Sequence, residues 1–263
     1  MAQPIAQVDA FTSSAFAGNP AGVCVLEAPR DAAWMQLVAR EMNIAETAFV
    51  ERRSDGDFDL RWFTPTVEVD LCGHATLASA HVLWESGVTA RLLRFHTRSG
   101  ALTAARRGDW IDLDFPATPD EPVDPPPGLL AALGVKKACY VGRSRFDFLV
   151  EVERESDVLV VRPDFRALAD IDARGAIVTS RSSTPGIDFV SRYFAPAFGI
   201  DEDPVTGSTH CCLGPFWRVR TGRREFVARQ LSSRGGELQV AVDGDRVRLS
   251  GRAVTVLRGE LLA

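Results

Sequence analysis

The chain is predicted to be an α+β protein built from two copies of one domain, and three observations carry that prediction. First, Arg61-Trp62-Phe63-Thr64-Pro65 returns as Arg192-Tyr193-Phe194-Ala195-Pro196, about half the chain later. Second, each pentapeptide is followed by a glycine that opens a helical segment, Gly73 in one half and Gly207 in the other. Third, each helical segment leads through Arg98-Ser99-Gly100 or Arg234-Gly235-Gly236 into alternating segments with a hairpin turn, Gly108-Asp109 or Asp243-Gly244-Asp245. One shared pentapeptide is easily accidental. Several features in the same order at a near-constant offset point to duplication.

Taken in order, Gln7-Val8-Asp9-Ala10-Phe11 reads as a first strand, Gly18-Asn19-Pro20-Ala21-Gly22 as a tight loop, and Val23-Cys24-Val25-Leu26 as a second strand. Plain turn chemistry explains Gly18-Asn19-Pro20 as readily as a binding loop does. Asp31 caps a helix carrying Trp34, Met35, Leu37, Val38 and Met42. Ala45–Val50 has the β-branched and aromatic content of a strand. Within it Glu46 lies between Ile44 and Phe49, either partly desolvated or simply an exposed acid at a strand start. After the first pentapeptide, Leu77, Ala80, His81 and Trp84 recur at three- and four-residue steps, which predicts a helix with one buried face that ends at Gly87. Cys72, Gly73 and His74 then lie at its N-terminus, where unpaired N–H groups and the helix dipole favour an anion.

The run Phe115–Gly128 is proline-rich and acidic, so it should be extended. This gives a first domain over 1–117, a linker over 118–127 and a second domain over 128–252, with the closing strand 253–263 able to complete either sheet. The second half is expected to hold a helix at Leu129–Leu133, strands around Ala138–Val141 and Phe146–Val152, a short helix near Phe165–Ala169, and Ile177-Val178-Thr179.

Composition narrows the function. Hydrophobic residues make up 46% and charged ones 25%, ordinary values for a chain that buries a core. A net charge of −5 argues against a nucleic-acid partner, and Arg218, Arg220, Arg223 and Arg224 read as a solvated helix end. No apolar run reaches spanning length, and Met1-Ala2-Gln3-Pro4 lacks a basic start and apolar core. The expectation is a cytoplasmic protein with no membrane partner. The five cysteines are odd in number and irregular in spacing, with no pattern for zinc.

Two glycine-opened helix starts could together hold a small carboxylate on backbone N–H groups, without metal or cofactor. Glu46, His74, Asp203 and Cys72 supply ionisable groups of different type around it. A carboxylate in a water-poor cleft is easier to protonate, which suits a residue that takes a proton and returns it. Isomerisation, epimerisation and β-elimination all fit.

Asp9-Ala10-Phe11, Gly18-Asn19-Pro20, Glu41-Met42-Asn43 before Glu46-Thr47, Phe63-Thr64-Pro65 before Cys72-Gly73-His74-Ala75-Thr76, and Glu202-Asp203 before Thr206-Gly207-Ser208 together resemble the PhzF-like phenazine-biosynthesis isomerases, over essentially the whole chain. The resemblance implies the diaminopimelate-epimerase fold, two domains of mostly antiparallel sheet each wrapped round a central helix, and a homodimer. It implies that Glu46 is the general acid/base acting on a dihydro-hydroxyanthranilate and that His74 and Asp203 position and polarise it. It further implies that Asn19, Cys72, Gly73, Thr206, Gly207 and Ser208 line the substrate site. One departure matters. Cys72 stands where two-cysteine racemases of this fold carry one thiol, and Thr206 stands where the second would be. A symmetric two-base epimerase is therefore disfavoured. The pair resembles hydroxyproline dehydratases, which makes elimination the alternative; a non-catalytic small-molecule binder on the same scaffold is the third reading.

Overall fold

In the computed structural model, which describes residues 2–262, the first strand is longer than its alternation suggests: β1 spans Gln3–Ala10. It pairs antiparallel with β2 (Asn19–Leu26) on one side and with the closing strand, Ala253–Leu261, on the other. The loop expected over Gly18–Gly22 is thus corrected. Asn19 is already opposite Ala10 and Pro20 opposite Asp9, because a proline near a strand's start forfeits little of the ladder. The turn itself is Phe11–Gly18, with positive φ at Phe11, Phe16 and Gly18. A Cβ on Gly18 would sit 2.2 Å from the Ala10 carbonyl oxygen, so no other residue fits.

α1 (Ala32–Met42) starts at Asp31, whose carboxylate accepts from the Trp34 N–H at 2.7 Å, and stops at left-handed Asn43. It is the crossover that lets β3 (Glu46–Arg52) pair parallel with β2. β4 (Phe58–Phe63) returns antiparallel, with the short β5 (Glu68–Val69) beside it. α2 (Gly73–Glu85) then crosses to β6 (Leu92–Thr97), parallel to β4. β7 (Gly100–Arg107) and β8 (Trp110–Pro116) complete a meander through the Gly108-Asp109 turn. The expectation of one buried face on α2 is too modest. Every residue from His74 to Ala80 and from Val82 to Trp84 is buried, since β1, β2, β3, β7 and the closing strand all pack on it. Small residues at Ala75, Ala78, Ser79 and Ala80 let the strands come that close.

The second unit covers Pro116–Arg248, while the first resumes from Leu249. It contains β9 (Glu121–Pro122), α3 (Leu129–Leu133), β10 (Tyr140–Arg143), β11 (Asp147–Glu151), α4 (Glu155–Leu159), α5 (Phe165–Ala169), β12 (Gly175–Arg181), β13 (Phe189–Phe194), α6 (Gly207–Thr221), β14 (Glu225–Gln230), β15 (Gly236–Asp243) and β16 (Arg246–Gly251), the last crossing the boundary between the units. Its successive pairings run antiparallel, parallel, antiparallel, parallel, antiparallel from β10 to β15. β1, β2, β3, β4, β6 and β7 follow the same series, with α6 in the place of α2. The duplication is therefore one of hydrogen-bonded topology as well as of motif.

The proline-rich segment is extended but not free. β9 pairs with β10, and the Ala117 and Thr118 N–H groups donate to the Asp245 and Cys211 carbonyls. α4 was not foreseen. The arginines at the end of α6 include two in ion pairs: Arg220 with Glu151 at 3.0 Å, and Arg223 with Asp188. Among the described residues no helix is long and apolar enough to cross a membrane.

Candidate active site

The first unit gathers its ionisable groups where β3 begins and α2 begins. Glu46 is the first residue of β3, opposite Ala21 in the parallel ladder. Side chains alternate along a strand, so Asn19, two residues before Ala21, faces the same side of the sheet as Glu46. Asn19 is fully buried there. α2 lies against these strands and delivers His74 from its first turn. The His74 Nε2 is 3.0 Å from Glu46 Oε2, and its Nδ1 is 3.5 Å from Cys72 Sγ. The Glu46 contact is close in distance but misaligned for a hydrogen bond, so charge rather than a directed N–H···O holds the pair.

Burial opposes a charged His74, yet the Cys72 sulfur against one ring nitrogen, then the Glu46 carboxylate against the other, outweigh it and hold the imidazole well above its ordinary value of 6.5. Burial, then the nearby Glu46 charge, pushes the Cys72 thiol up. Cys72 and Glu46 therefore both favour the imidazolium, the sulfur first and the carboxylate second. Glu46, Cys72 and His74 lie within reach of a single metal ion. However, His74 turns different nitrogens toward the other two, and those lone pairs diverge; the trio is a chain of contacts rather than a cage.

The second unit places Asp203, Thr206, Gly207 and Ser208 together at the start of α6. The Thr206 hydroxyl donates to the Asp203 carboxylate, and Asp203 itself is buried. A residue missed in the sequence secures this corner. Gln230, fully buried at the end of β14, donates to the Asp203 carbonyl at 2.7 Å and the Thr206 hydroxyl at 3.2 Å, and accepts from the Thr206 N–H at 3.0 Å. Its signal was available: the alternation Phe226, Ala228, Gln230 puts a glutamine on the buried face. His210, one turn into α6, lies with Nδ1 2.8 Å from the Thr206 carbonyl, and burial pushes it down to about 4, so it is neutral.

The repeated pentapeptides now have a physical role. Arg61 makes a two-pronged pair with Glu68, at 2.8 Å for each prong, and Arg192 does the same with Glu202, at 2.6 and 2.9 Å. Each arginine ties its strand to the segment that leads into the site helix. Arg192 is the more buried, and it also donates to the Val161 carbonyl at 2.8 Å.

Comparison with known proteins places this arrangement. Residues 8–259 match the family model for phenazine biosynthesis-like proteins. An uncharacterized isomerase of Halalkalibacterium halodurans is 55% identical, with the alignment covering 100% of this chain and 99% of that protein; another from Pseudomonas aeruginosa is 49% identical over 98% of each. The crystal structure of a PhzF-family phenazine biosynthesis protein from Enterococcus faecalis superposes with a TM-score of 0.96 at 41% identity, covering 100% of both chains. With its diaminopimelate-epimerase-like α+β fold and its match along nearly the whole sequence, the chain belongs to the PhzF-like isomerase family.

Proposed function

We propose that the protein moves a proton between carbons of a small cyclic carboxylate, such as a dihydro-hydroxyanthranilate, by general acid/base catalysis that needs no cofactor. The observation that carries this reading is the buried Glu46–His74 pair at 3.0 Å beside the glycine-opened start of α2. Glu46 would take the proton from one carbon as the C–H electrons shift into the conjugated system, then return it at another carbon. Because the pair is misaligned, the carboxylate oxygen and the ring N–H each keep a bonding direction for substrate. The His74 imidazolium would steady the charge that builds on the substrate, and the amides of Gly73 and His74, which have no intrahelical acceptor, would bind its carboxylate. Asn19, on the Glu46 face, is assigned to substrate contact. In the second unit, we assign Asp203, Thr206, Gly207 and Ser208 to holding substrate polar groups. Assembly as a homodimer and a cytoplasmic location belong to the same reading; sedimentation of the purified chain tests the first.

The test is proton NMR in deuterated buffer. Wild type should isomerise the anthranilate precursor or introduce deuterium into it. Glu46→Gln, with shape kept and the proton carrier gone, should lose at least about a hundredfold in rate while still binding. Unchanged turnover in that variant would sink the proposal. Elimination through Cys72 is disfavoured because burial and the nearby Glu46 push its thiol up; dehydration of trans-3-hydroxyproline that depends on Cys72 and ignores Glu46 would reinstate it.

A further inference from the structure

The first unit contains a cavity that the proposed chemistry does not use. It has a volume of about 330 Å³ and is lined by His81, Trp84, Arg106, Ile111, Arg252 and Val254, among others. His81 and Trp84 belong to the second half of α2, and His81 is seven residues beyond His74, about 10 Å along the helix axis. The two sites thus share a helix but no residue.

Three features of the lining point to an anion with an apolar body. Arg106 is exposed on β7 and, among the described residues, has no carboxylate partner; its guanidinium instead lies 5.9 Å from the centre of the Trp84 ring. His81 Nε2 is buried and has no hydrogen-bond partner, since its approach to Glu85 at 3.4 Å is misaligned. Burial holds His81 below its ordinary value, with the Arg258 and Arg106 charges acting in the same direction against Glu85. It is thus a neutral group able to share a hydrogen bond with a ligand. Two acids share the lining: Glu85, which already accepts from the Thr255 hydroxyl at 2.5 Å and from Arg258 at 2.8 Å, and Asp109 at the turn after β7, which makes no ion pair with Arg106. Trp84, Ile111 and Val254 supply apolar wall. A planar guanidinium beside an aromatic wall matches a carboxylate carried on a ring or short hydrocarbon.

We propose that this cavity is a second small-molecule site, separate from Glu46 and His74, that binds an apolar monocarboxylate through Arg106 and His81. The test titrates full-length protein with benzoate and follows the indole N–H resonance of Trp84, which donates to the Ala90 carbonyl at 2.7 Å and is assigned by its absence in Trp84→Phe. Wild type should give a saturable shift at millimolar benzoate. Arg106→Gln, an exposed change, should weaken binding about tenfold, the loss expected for one charge-assisted hydrogen bond. Val254→Glu, which places a like charge in the wall, should weaken it as well. The proposal is overturned by no saturable shift, by unchanged affinity in Arg106→Gln, or by a shift abolished in His74→Ala but kept in Arg106→Gln. Inorganic phosphate moving the same resonance at lower concentration than benzoate overturns the carboxylate class.

Discussion

Glu46 and His74 illustrate how one contact sets both chemistry and titration. His74 is raised by the Cys72 sulfur and by its carboxylate neighbour, so its contribution to stability is fully present below pH 6.5 and is lost as pH rises through the elevated native value. In Glu46→Gln, burial is left unopposed by the carboxylate, and the His74 ring titration followed by NMR should move to lower pH. An unmoved titration would mean that Glu46 does not sustain the imidazolium. His210 carries the opposite sign. Held at about 4 against 6.5 when unfolded, it binds fewer protons in the native state throughout that interval. Stability should therefore fall as pH drops from 6.5 to 4 and level off below. The loss is about 3 kcal/mol at this site. Urea unfolding across that range should show the loss in wild type and a shallower fall in His210→Gln. Because His210 Nδ1 faces the Thr206 carbonyl, the acid-weakened element is the start of α6.

At the scale of the element, the two copies differ in how much their shared arginine is asked to do. Arg192 is nearly buried and makes a two-pronged pair plus a backbone contact, whereas the Arg61 side chain is 31% exposed. Removing one partner of a buried pair leaves the other charge stranded. Arg192→Leu should cost about 3 kcal/mol in denaturant unfolding, and Arg61→Leu about 1 kcal/mol or less, as solvent screens its pair. Equal losses would show that exposure does not set the difference. α2 makes a related point about close packing. A Cβ on Gly251 would lie 2.4 Å from the Phe11 ring and 2.7 Å from Leu77, so Gly251→Ala should cost about 1–3 kcal/mol by overpacking the helix.

For the whole molecule, the consequential feature is that the first unit is made from both ends of the chain. β1 pairs along its length with the closing strand, from Gln3 opposite Leu261 to Ala10 opposite Ala253. A chain ending at Arg252 would leave β1 as an open edge and expose α2 on the side the closing strand covers. Hydrogen exchange should then be fast in β1 and α2 but near wild type in β12 and β13, whose pairings lie wholly within the second unit. Slow exchange of β1 in the truncated chain would mean that the closing strand is not needed to hold it.

Local patterns in the sequence determined a good deal. Asp31, Gly73 and Gly207 mark helix starts by chemistry confined to a turn, and helices lie where they signal them. The repeated Arg-aromatic-Phe-x-Pro motif disclosed the duplication, because two copies of a fold need the same strand-to-helix joint. Cys72 and His74 could be placed beside each other from the helix start alone. What tertiary structure decided was everything that depends on long-range pairing. The parallel register of β2 and β3 puts Asn19 and Glu46 on one face, and packing of α2 on that face brings His74 to Glu46. Gln230 joins Asp203 and Thr206 only after the crossover through α6. The closing strand could have joined either sheet; β1 takes it, because the choice is made by an open edge elsewhere in the fold and leaves no local mark on the strand's own residues.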